Sequence, residues 1–300
     1  LNSLSDNSSK NEAISFDGYL GRSAVSVNGS RGSVLEIDDL KKSTDGFGVF
    51  GNYTATGNTT AYGKNWFDNQ PVTYKTSAWT YDPVKYWLPK GHIDFLAYAP
   101  YVEGTTLKNT SCIEFTVADN AANQKDLLWA NAANKTKDNI STTGNKVKFQ
   151  FAHALSRLGY TVKLNKVYPD ATFTLTKITL AGSADGTEKA FYTTGTIDLS
   201  KDNQATDLWK ISTPATKQKF DWFSGTQTLA TTDYKNSDTE YLFVIPQNFS
   251  ASATDKLYVI VEYTIKGYNG VTTPMTNTVR KQLDKKFEQG KAYTINLTIG

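Results

Sequence analysis

The sequence predicts an all-β protein built as two tandem antiparallel β-sandwiches. Three observations carry this. Apolar residues make up 39% of the 300 residues and aromatics 13%, with Thr, Asn and Gly abundant, a mixture that suits short strands joined by polar turns. Strand-like runs recur from end to end, separated by Gly, Pro, Asn and Asp. No long window carries apolar residues at the 3.6-residue helical period.

The runs follow in order, each justified by apolar residues at period two. AISF (13–16) puts Ile14 and Phe16 on one face. SVLEID (33–38), FGVFGNYTA (47–55) and PVTYKTS (71–77) come next, with Phe47, Val49 and Tyr53 aligned in the second of these. WTYDPVKYWL (79–88) and HIDFLAYAP (92–100) flank a Pro-Gly turn and are expected to form a hairpin whose aromatics fill the first core. CIEFTV (112–117) and KDLLWAN (125–131) follow. KVKFQFAHAL (146–155), LGYTVKL (158–164), TFTLTKITLAG (172–182), AFYTTGTIDL (190–199), DLWKIS (207–212) and EYLFVIP (240–246) continue the pattern. KLYVIVEYTIKGY (256–268), VTTPMTNTVRKQL (271–283) and KAYTINLTIG (291–300) complete it, the last aligning Tyr293, Ile295, Leu297 and Ile299. Some sixteen strands divide naturally into two sandwiches of the usual seven to nine.

Residues 147–164 show where the division falls. Val147, Phe149, Phe151 and Leu155 are odd-numbered, whereas Leu158, Tyr160, Val162 and Leu164 are even-numbered. A change of phase turns the other face of the chain inward. It arises from a β-bulge or from passage between sandwiches, and the passage is favoured because it leaves two halves of ordinary domain size. The expected organisation is a flexible leader at 1–12, rich in Ser and Asn, a first sandwich at 13–150 and a second at 151–300. His153 lies on the apolar face of the first half and is expected to be a satisfied core residue.

The chemistry expected from these residues is slight. Net charge is +3, with lysines scattered singly, so the basic stripe of a nucleic-acid binder is missing and no nucleic-acid partner is expected. The single cysteine, Cys112, permits no internal disulfide. Two histidines cannot build a multi-histidine metal site, so neither metal nor cofactor is expected. Gly46, Gly48 and Gly51 match the spacing of a phosphate-binding loop, but they sit in an alternating strand with no helix after it. No catalytic residue is assigned; a β-sandwich glycoside hydrolase would need two facing carboxylates. The chain opens on Leu1 rather than Met, which leads us to expect that an N-terminal piece has been removed. No run approaches the roughly 20 apolar residues of a membrane helix.

Four segments in order resemble one family. WTYDPVKYWLPKGHIDFLAYAPY resembles a hairpin of fimbrillin-like proteins of Bacteroidales, DLLWANA followed by VKFQFAHALSRLGYTVKL resembles their middle, FGVFGNY their early strand and GKAYTINLTIG their closing strand. The resemblance implies two tandem transthyretin-like β-sandwiches, a non-enzymatic pilus subunit or adhesin at the cell surface, and a secreted lipoprotein precursor whose lipid anchor is its membrane link to the outer membrane. It implies other pilus subunits as partners by strand donation. An Arg-specific protease would remove the first strand, and a neighbour's strand would fill the groove. Candidate processing sites are Arg22 and Arg31, and the candidate displaceable strand carries Ile14 and Phe16. Tyr293, Ile295, Leu297 and Ile299 form either a strand of the chain's own sheet or a donor strand. If they are its own, the chain is a tip or accessory subunit. The alternative function is a glycan-binding surface lipoprotein, which needs exposed aromatics such as those around Trp79, Tyr86 and Trp87 or Trp209, Trp222 and Phe223.

Overall fold

The computed structural model describes residues 12–20 and 37–300. It is almost entirely β. The first strands in chain order are β1 (Phe16–Leu20), β2 (Phe47–Thr54), β3 (Phe67–Lys75), β4 (Ala78–Thr80) and β5 (His92–Ala99), with a six-residue helix α1 (Ile37–Lys42) between β1 and β2. Then come β6 (Cys112–Thr116), β7 (Leu128–Lys135) and β8 (Val147–His153). All of these except β6 form one seven-stranded sheet in the order β1-β8-β7-β5-β2-β3-β4. The sheet wraps around a core that includes Phe16, Phe47, Phe67, Trp79, Phe95 and Phe149.

The remaining strands build the second core. They are β9 (Ser156–Leu164), β10 (Thr172–Ala181), β11 (Phe191–Tyr192), β12 (Thr194–Asp198), β13 (Trp209–Ile211), β14 (Lys217–Gln218) and β15 (Phe220–Thr228). After them lie β16 (Tyr234–Lys235), β17 (Leu242–Val244), β18 (Gln247–Phe249), β19 (Leu257–Lys266), β20 (Met275–Leu283), β21 (Lys285–Phe287) and β22 (Ala292–Ile299). One sheet runs β15-β10-β19-β20; another places β9 between β16 and β17 on one side and β22 on the other. Leu175, Leu180, Val259 and Val261 from the first meet Leu158, Tyr160 and Val162 from the second.

The phase change at 147–164 is the crossing from one core to the other. Ala154 N donates to Leu127 O at 2.9 Å on the first sheet's side, while Leu155 O accepts from Gly290 N at 2.9 Å on the second's. Odd-numbered Val147, Phe149 and Phe151 pack in one core and even-numbered Leu158, Tyr160, Val162 and Leu164 in the other, but odd-numbered Leu155, expected with the first group, lies in the second core because the crossing precedes it.

The cores are coupled through β5, whose eight residues are all buried. Ile93, Phe95 and Ala97 face the first core, whereas Leu96 and Tyr98 join the second together with Phe50 and Trp129. Gly48 leaves room for the Tyr98 ring, which a β-carbon at that position would strike. Trp129 Nε1 donates to Lys201 O at 3.0 Å, and the Asn131 side-chain amide donates to Leu199 O at 2.9 Å and to Lys201 O at 2.7 Å.

Three expectations for individual elements are corrected. The run 79–100 does not form a hairpin: β4 pairs with β3, whereas β5 pairs with β2 and β7. Its aromatics still divide as the core requires, with Trp79 and Trp87 buried and Tyr86 exposed. Ile37 and Asp38 begin α1 rather than ending a strand, and residues 33–36 lie outside the described residues. β6, inside the first half by sequence, pairs with β12 and contributes Ile113 to the second core.

Candidate functional site: the first strand and its groove

Burial alternates from Ala13 to Leu20. Ile14, Phe16 and Gly18 are buried, and Tyr19 is exposed. Along one edge β1 runs parallel to β8, in register from Phe16 opposite Val147 to Leu20 opposite Phe151. Val147 N donates to Ser15 O at 2.8 Å. Along the other edge residues 12–14 meet residues 85–87: Ile14 N donates to Lys85 O and Trp87 N to Glu12 O, each at 2.9 Å. The Tyr81 hydroxyl adds a third link, donating to Ile14 O at 2.5 Å. The segment is therefore held along β8 through β1, the edge strand of its sheet, and on the opposite side at residues 12–14 that precede it.

Its side chains fill three distinct sites. Ile14 is 1% exposed and packs with the first core. Phe16, also 1% exposed, sits among the rings of Tyr81 (5.3 Å between centroids), Phe67 (5.5 Å), Phe95 (5.6 Å) and Phe149 (5.6 Å). Gly18 is buried in the third site, where a β-carbon would lie 3.4 Å from Phe151, 3.6 Å from Phe47 and 3.7 Å from Ile37, in ordinary contact. Burial of Ile14 and Phe16 is worth about 3–6 kcal/mol together. Burial pushes the Tyr81 hydroxyl up to about 12, against the opposing effect of its hydrogen bonding with the Lys85 backbone.

Other sequence-predicted residues fall as follows. Arg22 and Arg31 lie outside the described residues. Tyr293, Ile295 and Ile299 are buried in the second core and Leu297 is half-buried against it; all four belong to β22, which runs parallel to β9 from Ala292 opposite Arg157 to Ile299 opposite Leu164. Thus the first and last described strands are both paired parallel, each to one half of the 147–164 run. None of the six tryptophans is among the exposed large hydrophobic residues, so no exposed tryptophan platform is present. The His153 imidazole meets the Asp126 carboxylate at 3.0 Å with its Nε2 buried and unpaired, and His92 meets Asp94 at 3.0 Å. Among the described residues no group of three or more His, Cys, Asp or Glu could hold a metal, and no helix is long and apolar enough to cross a membrane.

Sequence reasoning found Ile14 and Phe16 but ended the strand at Phe16. The continuing period, Phe16-x-Gly18-x-Leu20, was the available signal. It missed Tyr81 and residues 85–87 as the second edge, because a single bridge between Ala13 and Tyr86 leaves no periodic trace.

Comparisons with known proteins agree with this architecture. A family model described as fimbrillin-like matches residues 35–300. No curated protein matches. The fold is similar to a fimbrial protein of Bacteroides vulgatus, at 21% identity over 96% of each chain with a TM-score of 0.64. It is also similar to a candidate cell adhesion protein of Bacteroides ovatus, at 17% identity over 96% of this chain and 92% of that one, with a TM-score of 0.53.

Proposed function

Because the chain belongs to the fimbrillin-like family, we propose that it is a non-enzymatic cell-surface fimbrial subunit or adhesin that joins its neighbour by exchange of the first strand. The observation that carries this reading is the first described segment: its side chains occupy a ring-lined groove, β1 pairs along β8, and residues 12–14 before it bond to residues 85–87. Its removal would expose Phe67, Phe95 and Phe149 together with unpaired backbone groups of β8, both costly in water. A strand from a neighbouring subunit restores both.

Arg22 and Arg31 lie in sequence between the end of β1 and the start of α1. Cleavage after either severs the covalent link that keeps β1 in place. β22 serves as a strand of the chain's own second core, which favours a tip or accessory subunit over one that gives this strand away. Delivery to the outer membrane as a lipoprotein precursor completes the reading. The test is mass spectrometry of the assembled surface form. The proposal expects chains that begin after Arg22 or Arg31; intact residues 1–31 in assembled material would end it.

A further inference from the structure

Given that strand exchange occurs, we infer that the groove selects an aliphatic-x-aromatic-x-small strand and rejects β22 of a second copy. The inference rests on the function proposed above and concerns what the vacated groove would select. The resident strand shows the three sites in register: Ile14 in an aliphatic site, Phe16 in a cage of four rings, Gly18 under Phe47 and Phe151. The third site is the discriminating one. A β-carbon there would already touch the Phe151, Phe47 and Ile37 side chains, the first two buried, so Gly or Ala fits and a branched residue would have to displace a buried ring. The backbone sets the direction. Hydrogen bonds from β8 on one edge and from Tyr81 and Trp87 on the other all match a strand parallel to β8.

Over residues 292–300, β22 fails that code in every register. With Ile295 and Leu297 in the first two sites, Ile299 enters the glycine site. With Tyr293 and Ile295 there, Leu297 enters it. The register that puts Gly300 in the small site places Asn296 and Thr298 in the two apolar ones. Reversed, Ala292 fits the small site only if Thr294 and Asn296 take the apolar ones. The remaining forward registers bring Asn296 or Thr298 into the small site, and the remaining reversed ones Asn296, Ile295, Thr294 or Tyr293. A period-two apolar strand is therefore insufficient; what the groove requires is a gap two residues after an aromatic.

The test uses the full chain carrying Phe16→Ala, which loosens the resident strand, and fluorescein-labelled peptides followed by polarisation. The peptide EAISFDGYL, residues 12–20, is expected to bind. The same peptide with Gly18→Ile, and the β22 peptide AYTINLTIG, are expected to bind at least about tenfold more weakly. The β22 peptide with Leu297→Phe and Ile299→Gly is expected to recover affinity. Equal binding of all four overturns the selectivity and leaves strand exchange standing; binding by none removes both. The intact chain gives a second readout that does not depend on exchange. Gly18→Ala should melt with the parent and Gly18→Val several degrees below it. A Gly18→Val chain that melts with the parent overturns the steric argument.

Discussion

Replacing Phe16 with Ala should free the first strand without unfolding the rest of the protein. The ring is 1% exposed and touches four others, so its removal loses the transfer energy of a phenyl group and leaves a cavity, about 3–5 kcal/mol by comparison with other Phe→Ala changes. The loss falls on a strand of five residues at the end of the chain's described portion. It should therefore appear as local opening of β1 rather than as global unfolding. An opening energy lowered by 3 kcal/mol raises amide exchange roughly 150-fold. The amides to follow by hydrogen exchange with mass spectrometry are those of Val147–Phe151 in β8 and of Trp87, which donates to Glu12. Amides in β10 and β19, in the second core, serve as the control. A change below about fivefold in β8 would refute the energetic argument, and an equal rise in β10 and β19 would refute the claim that β1 opens alone.

Tyr81→Phe removes the hydroxyl that donates to Ile14 O and should weaken the same strand by about 1–2 kcal/mol, read as faster limited proteolysis between residues 12 and 20. Its folded pKa is raised to about 12 from an ordinary 10, so its contribution is complete below pH 10 and lost as pH rises through 12. The parent should thus show an alkaline loosening of β1 between pH 10 and 12 that Tyr81→Phe lacks; identical pH profiles would contradict the role given to the hydroxyl. Asp94 is fully buried, accepts from Ala61 N at 2.9 Å and Asn134 N at 2.7 Å, and contacts His92. Asp94→Ala should cost about 1–3 kcal/mol in urea unfolding, because the buried His92 ring loses its partner. Ile295→Ala in β22 should cost about 2–4 kcal/mol in the same assay, and no measurable loss would show that β22 is dispensable to the second core.

The periodic part of this architecture was legible from residues alone. Val147, Phe149 and Phe151 against Leu158, Tyr160 and Val162 marked the passage between cores because side-chain phase in a strand is a local property. Ile14 and Phe16 were legible for the same reason. Partner choice was not. Nothing local says that β1 pairs parallel to β8, 131 residues later by the Phe16–Val147 register, or that β6 leaves its sequence neighbours for β12. The 79–100 run misled because aromatic alternation on both sides of a Pro-Gly turn also describes two strands that pair elsewhere. The full burial of β5 follows the same logic: HIDFLAYA is apolar on one face, while His92 and Asp94 on the other are buried as a pair.

The parallel pairing of the outermost described strands has a mechanical consequence. β1 starts where the 147–164 run starts, and β22 finishes where it finishes. Tension that pulls Phe16 and Ile299 apart drags each strand lengthwise along its neighbour, loading five residue pairs at one end and eight at the other simultaneously. Such shear loads all rungs together, whereas in peeling they fail singly, and a neighbour's strand seated parallel to β8 in place of β1 would be loaded in the same way.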